Sequence, residues 1–335
     1  MCRNKQRWFY VWLHQFSTFT ESTVKTLRLA LDWTPNVNHI GFLVARELGF
    51  YEKCGITLEI IDPLSDNYAL TPGKRLELGD ADLAIAPFET VVSLNNKARS
   101  VDAVAVYAIL QEDLSSIACL ATSPVASPRD LDGKTYASYK ARYEDHIVRA
   151  MIMRDGGTGK LSISYPEKLG IWGTLLKGEA DATWIFDNWE GVKASTNGVA
   201  LSTFAMRDYG IPYGYSPVVL TRQHTINHER VLLQSFLHAT REGYLYVQDH
   251  IGEAERILAS YLTTDERATI DLGRSITMTA PHFGTPSSCG VMEPQRVHDF
   301  LRWLVDAGLE SPAILEQQLY TNDLIDITTT KESTA

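Results

Sequence analysis

Five short segments of this 335-residue chain gather side chains able to bind or react. Asp32-Trp33-Thr34-Pro35-Asn36-Val37-Asn38-His39 offers an indole that stacks on a planar ligand. Asn36, Asn38 and His39 in the same segment donate or accept hydrogen bonds. In Pro87-Phe88-Glu89-Thr90 a carboxylate opens a helix; it either complements the helix dipole or accepts bonds from an amine or amidine. Ser138-Tyr139-Lys140-Ala141-Arg142-Tyr143-Glu144 leads into a helix N-terminus. Backbone N–H groups there hold anions, with help from Lys140 and Arg142, or the segment is a solvated basic turn. Trp184-Ile185-Phe186-Asp187-Asn188-Trp189-Glu190 sets two indoles, two acids and an amide at a strand end, a costly mixture to keep without a use. Asp208-Tyr209-Gly210-Ile211-Pro212-Tyr213-Gly214-Tyr215-Ser216-Pro217 is a Tyr-, Gly- and Pro-rich loop placed where a hinge would be.

Enzyme signatures fail one by one. Gly214-Tyr215-Ser216-Pro217-Val218 lacks the last glycine of a nucleophile elbow. Gly156-Gly157-Thr158-Gly159-Lys160 is too short for a phosphate-binding P-loop and runs into Leu161. No G-x-G-x-x-G follows a strand and no H-E-x-x-H occurs; His224 and His228 fall at a helix start and are not read as metal ligands. The cysteines, Cys2, Cys54, Cys119 and Cys289, are scattered, which reads as thiols rather than a disulfide framework or zinc site. No catalytic residue, metal or cofactor is expected.

The elements that must position these segments alternate between strand and helix. Leu27 to Leu31 reads as a strand, Ile40, Leu43, Val44 and Leu48 as a helix face, and Leu58 to Ile61 as the next strand, the unit of a parallel α/β sheet. The alternation continues through a helix at Lys74 to Leu78, a buried strand at Leu83 to Ala86, a helix at Thr90 to Lys97 and a long apolar strand from Val101 to Leu110. A strand at Thr135 to Ser138 and a helix from Tyr143 to Arg154 open a second lobe, and Val218 to Thr221 is the return strand. Residues 228–249 form a long amphipathic helix. Gly79-Asp80-Ala81-Asp82 before one apolar strand is echoed by Gly178-Glu179-Ala180-Asp181 before another, as two lobes of similar design would produce. In open α/β sheets ligands bind beyond the carboxyl ends of the strands, the rule that picks out these segments for inspection.

Composition bounds the partners. A net charge of −10 disfavours nucleic acid, which needs clustered Lys and Arg. No run of 18 apolar residues exists to span a membrane. Residues 1–25 read as an N-terminal extension: basic, then aromatic, but interrupted by His14 and Gln15 and a poor export signal. The compartment stays open, with a cytoplasmic location favoured over a periplasmic or extracellular one because the export signal is poor; an ABC-type permease is a partner if the protein is exported.

The chain resembles the SsuA-type and thiamine-pyrimidine-type substrate-binding proteins. The resemblance is carried by Leu31-Asp32-Trp33-Thr34-Pro35-Asn36, Gly49 to Ile56, Gly79-Asp80-Ala81-Asp82-Leu83-Ala84-Ile85, Leu169-Gly170-Ile171-Trp172 and Tyr213-Gly214-Tyr215-Ser216-Pro217, over about residues 26–310. It implies an α/β type II periplasmic-binding-protein fold, two lobes with a ligand cleft between them. Lobe one would be 26–113 plus 219–327, lobe two 114–218, and 328–335 a disordered tail. One branch, the yeast-type hydroxymethylpyrimidine phosphate synthase, holds pyridoxal phosphate on a lysine beside a histidine and carries a cysteine-rich motif. Those two positions fall on Ala86 and Thr90 here, and no such motif exists.

The expectation is therefore non-catalytic binding of a small nitrogenous ligand, aminopyrimidine-like, with hinge closure; the synthase is the alternative. Trp33, Tyr139 and Trp189 would supply aromatic faces. Asn36, His39, Glu89, Asp187, Asn188 and Glu190 would supply polar contacts, and Ser138, Arg142 and Tyr143 the loop at the second lobe's helix. Tyr215 would close the cleft.

Overall fold

Ten strands form two separate five-stranded sheets in the computed structural model, which describes residues 24–166 and 172–326. The first contains β1 (Lys25–Ala30), β2 (Ile56–Ile61), β3 (Leu83–Ala86), β4 (Ala103–Ala108) and β10 (Val218–Arg222), in the order β2-β1-β3-β10-β4. The second contains β5 (Ser115–Leu120), β6 (Thr135–Ala137), β7 (Ser162–Ser164), β8 (Ala182–Phe186) and β9 (Leu201–Ala205), in the order β7-β6-β8-β5-β9. β3 and β4 are buried along their whole length, which is why Leu83 to Ala86 reads as a continuous apolar run rather than an alternation.

The two sheets are built alike. β1 and β6 each pair in parallel with two neighbours, β2 and β3 or β7 and β8. β10 and β5 then run antiparallel between β3 and β4, or β8 and β9. The echoed sequence has a shared structural duty. Gly79 and Gly178 turn the chain at φ 81° and 70°, a conformation that glycine adopts without strain. The aspartate three residues on then clamps the neighbouring strand. Asp82 accepts from Arg28 N at 3.0 Å and donates its own N–H to Arg28 O at 3.0 Å. Asp181 does the same with Thr135, at 2.8 Å in both directions.

Residues 109–114 and 206–217 carry the chain between the sheets, and they are tied together by Ile109 N donating to Pro217 O at 3.2 Å. Two apolar clusters bridge the lobes. Trp189 and Val192 of the second lobe join the core around β1, β2 and the helix Arg230–Asp249. Tyr143, Ile147 and Met151 from the helix Glu144–Arg154 and the residue before it share a cluster with Ala84, Ala105 and Phe300. The helices Leu272–Thr279 and Pro294–Asp306 close the first lobe.

Several boundaries differ from the sequence reading. β5, β7 and β9 were not anticipated; β5 reads Ser-Ser-Ile-Ala-Cys-Leu, with neither alternation nor a long β-branched run. The long helix is broken at Glu229, so Gln223–His228 is a separate turn of helix. Cys54, Cys119 and Cys289 are free thiols. The expected extension up to Thr23, the tail from residue 327 and the residues 169–171 of one resemblance segment lie outside the described residues.

Candidate functional site

A cavity of about 190 Å³ lies between the sheets, walled by residues at the carboxyl ends of strands. Asp32 and Trp33 follow β1, Pro87 and Glu89 follow β3, Tyr139, Ala141 and Glu144 follow β6, and Trp189 and Glu190 follow β8. Tyr213 and Ser216 precede β10, which runs antiparallel and so presents its amino end at the same edge. Asn36 and Asn38 complete the first lobe's wall, and Ile147 and Trp184 to Phe186 the second's.

The aromatic rings meet across the gap. Trp33 lies 6.2 Å from Tyr139 of the other lobe, edge-on at 69°, and 5.2 Å from Tyr68. Trp184 packs on Tyr213 at 5.2 Å, also edge to face. Such edge-to-face pairs hold each ring in place while leaving faces for a flat ligand.

The polar groups are mainly carboxyls. Glu89 is 3% exposed, and its Oε2 atom is buried with no hydrogen-bond partner. Burial, reinforced by the charge of Glu144, pushes its pKa up to about 8, against the pull of the Tyr143 backbone and Arg142. Glu190 accepts from Phe186 N at 2.9 Å, and burial pushes it up to about 7. Glu144 is also raised by burial, although three donors hold it: Tyr136 Oη, Tyr139 N and Ala141 N. Asp32 is held at 2.7 Å by His39 Nε2.

Of the residues singled out from the sequence, Trp33, Asn36, Glu89, Tyr139, Trp189 and Glu190 line this cavity. Asn36 also caps the short helical turn Val37–His39 by accepting from Asn38 N at 2.9 Å. The other seven stand behind the wall. His39 is fully buried; it accepts from Asn36 N on Nδ1 and donates to Asp32 from Nε2, so it orients a lining residue rather than lining. Ser138 is buried, accepting from Lys140 N at 3.1 Å. Arg142 turns away to an ion pair with Glu310 at 2.5 Å, and Tyr143 Oη donates to the same carboxylate at 2.6 Å. Asp187 accepts from Ser116 Oγ at 2.6 Å, and burial raises its pKa. Asn188 is wholly buried between lobes. Tyr215 stands outside the cavity wall: it is 2% exposed, its Oη accepts from Glu293 N at 2.8 Å, and Arg296 covers its ring.

Sequence reasoning named Asn38 for its hydrogen bonds but passed over Asp32, Glu144, Trp184, Tyr213 and Ser216, which also line the cavity. Each sits inside a segment it had marked; what was missing was which side chain of each segment turns inward. The expected anion site at Ser138 to Tyr143 is filled by the chain's own Glu144. The glycine-rich loop at Gly156 to Lys160 is filled likewise, its Thr158 and Lys160 N–H groups donating to Asp132. Ala86 ends β3 and is buried, and neither it nor Thr90 lines the cavity. Among the described residues no group of His, Cys, Asp and Glu is placed to hold a metal ion, and no helix is long and apolar enough to cross a membrane.

Two α/β lobes with a ligand-sized cavity at their strand ends define a type II periplasmic-binding-protein fold. The alkanesulfonate-binding protein SsuA from Xanthomonas axonopodis pv. citri shares it, with a TM-score of 0.64 at 14% identity over 90% of this chain and 97% of that one. Residues 36–254 match the family described as NMT1/THI5 like, and the chain belongs to that family. A formylaminopyrimidine-binding protein from Halalkalibacterium halodurans is 24% identical over 305 residues, 88% of this chain and 90% of the relative. A putative thiamine biosynthesis protein from Haemophilus influenzae is 25% identical over 256 residues, 76% and 79% of the two chains.

Proposed function

We propose that the cavity binds an aminopyrimidine of the thiamine-precursor type and releases it unchanged. The observation that carries this reading is Glu89, a buried carboxyl with one unpartnered oxygen at the wall of an aromatic-lined cavity. A buried polar atom left without a partner is costly, and a ligand donor removes that cost. An aminopyrimidine presents an amino N–H and a ring nitrogen side by side. It matches a carboxyl group with two hydrogen bonds whichever partner holds the proton. Trp33 and Tyr139 supply flat faces for the ring. About 190 Å³ is below the roughly 300–1,000 Å³ of drug-sized sites, which suits a single substituted ring.

Binding without chemistry is supported by the wall itself. None of the described lining residues is a lysine, histidine or cysteine, so nothing there forms a Schiff base or acts as a thiol nucleophile. The formylaminopyrimidine-binding relative points to the same ligand class. An ABC-type permease would be the partner of such a carrier.

Titration calorimetry with a formylaminopyrimidine, a 4-aminopyrimidine and an aliphatic sulfonate tests the reading. One-to-one binding of the pyrimidines and none of the sulfonate is expected. Binding of the sulfonate alone would overturn it. A saturating ligand at 100 times its dissociation constant adds about 2.7 kcal/mol of stability, visible as a thermal shift.

A further inference from the structure

The loop from Ser138 to Ala141 joins β6 to the helix Glu144–Arg154 and borders the cavity through Tyr139 and Ala141. Lys140 has φ of 62°. That left-handed step turns successive backbone N–H groups toward one point, the geometry of an anion nest. Here every donor of the nest is spent. Tyr139 N donates to Glu144 Oε1 at 3.0 Å and Ala141 N to Oε2 at 3.2 Å, while Tyr136 Oη donates to Oε1 at 2.7 Å. Lys140 N donates to Ser138 Oγ. The loop's cations are engaged elsewhere, Arg142 with Glu310 and the Lys140 ammonium 4.7 Å over the Tyr165 ring.

We propose that Glu144 sets the charge class of the ligand: its carboxylate is a built-in anion that occupies the nest, so the cavity refuses phosphate and sulfonate groups. The identity of the accepted ring rests on the aminopyrimidine reading, but the refusal of anions rests on the nest alone. The wall works the same way: an arriving oxyanion meets the carboxyl groups of Glu144 and Asp32 with no arginine or lysine among the described lining residues. Like charges brought together in a low-dielectric site repel strongly. What the site accepts is a neutral or cationic amine.

Two matched probes read this on the full chain: 4-amino-5-hydroxymethyl-2-methylpyrimidine and its phosphate ester, titrated at pH 6. The wild type is expected to bind the alcohol at least about 100-fold more tightly than the ester. Glu144→Ala, which empties the nest, is expected to gain measurable binding of inorganic phosphate and to narrow that preference at least about tenfold. Equal affinity of the wild type for alcohol and ester overturns the proposal. So does a folded Glu144→Ala protein, by circular dichroism, that binds neither phosphate nor the ester better than the wild type. Should that variant not fold, Glu144→Gln keeps the shape and removes the charge; an unchanged preference then overturns it. If the wild type binds neither probe, the aminopyrimidine reading falls, and phosphate titration of Glu144→Ala decides the role of Glu144 separately.

Discussion

Asn188 of the second lobe donates from Nδ2 to Asn38 Oδ1 of the first at 2.8 Å, in a position with no solvent access. The same amide nitrogen donates to Thr279 Oγ1 at 3.0 Å, and Ser275 Oγ donates back to Asn188 O at 2.5 Å. One side chain at the end of β8 is thus latched to two elements of the other lobe. Asn38 lines the cavity, so the latch also fixes an amide at the cavity wall. Asn188→Ala leaves buried partners unpaired, at about 1–3 kcal/mol. A larger radius of gyration in X-ray scattering of the empty protein is expected, with ligand affinity falling about tenfold for each 1.4 kcal/mol lost. An unchanged radius and affinity would show that Asn188 only packs.

Glu89 makes stability depend on pH in a stated direction. Its folded pKa of about 8 lies above the ordinary value of 4.5. The folded state therefore holds the proton more tightly than the unfolded one. Its contribution is full below about pH 4.5 and is lost as pH rises toward 8 and beyond. Glu89→Gln keeps the shape and cannot ionise. The empty variant should melt above the wild type at pH 8.5, with the gap closing at pH 5, while its aminopyrimidine affinity drops. A melting-temperature difference independent of pH would refute the assignment of the proton to Glu89.

The fold was legible where burial acts on a whole segment. β3 and β4 are covered on both faces and leave apolar runs, and the G-acid-A-D echo marks a turn and a clamp that each lobe needs. The five segments at the cavity were legible because strand ends are few. Which residue of each segment faces inward was not. Tyr215 is turned away by a bond to a backbone N–H 78 positions later, and Arg142 by a carboxylate 168 positions later. Glu144 is a different case: its partners lie three to eight residues away, but the nest depends on a positive φ at Lys140, which a lysine does not announce.

The two clamping aspartates should differ in strength although their backbone bonds match. Asp82 also takes the Arg28 guanidinium, Nε at 3.1 Å and Nη2 at 2.9 Å. Burial pushes its carboxyl up, but Arg28 and its backbone outweigh that and hold it below the usual range. Charge-assisted bonds contribute about 1.5–3 kcal/mol each, so Asp82→Asn should destabilise more than Asp181→Asn by an amount in that range. Because the Asp82 pKa is depressed, its contribution is present above the ordinary carboxylate pKa and is lost as pH falls through the folded value. Urea melts of both variants at pH 7 and pH 3 check this: the gap between them should shrink at the acid end, and a gap that widens would contradict it.

Trp33 tests whether the aromatic wall binds or merely packs. It is only partly buried, and its ring contacts are with Tyr68 of its own lobe and Tyr139 of the other. A ring stacked on a heteroaromatic base contributes about 1–3 kcal/mol. Trp33→Leu keeps apolar bulk at the rim and removes the flat face. Loss of aminopyrimidine affinity of roughly 5- to 150-fold is expected, the equivalent of that energy. The melting temperature of the empty protein should move little, since a partly exposed ring at a cavity wall contributes less to the core than a buried one. The reverse pattern, a large fall in melting temperature with affinity preserved, would assign Trp33 to the packing between lobes. Tyrosine at this position distinguishes further: it restores a face, so Trp33→Tyr should recover most of the affinity that Trp33→Leu loses.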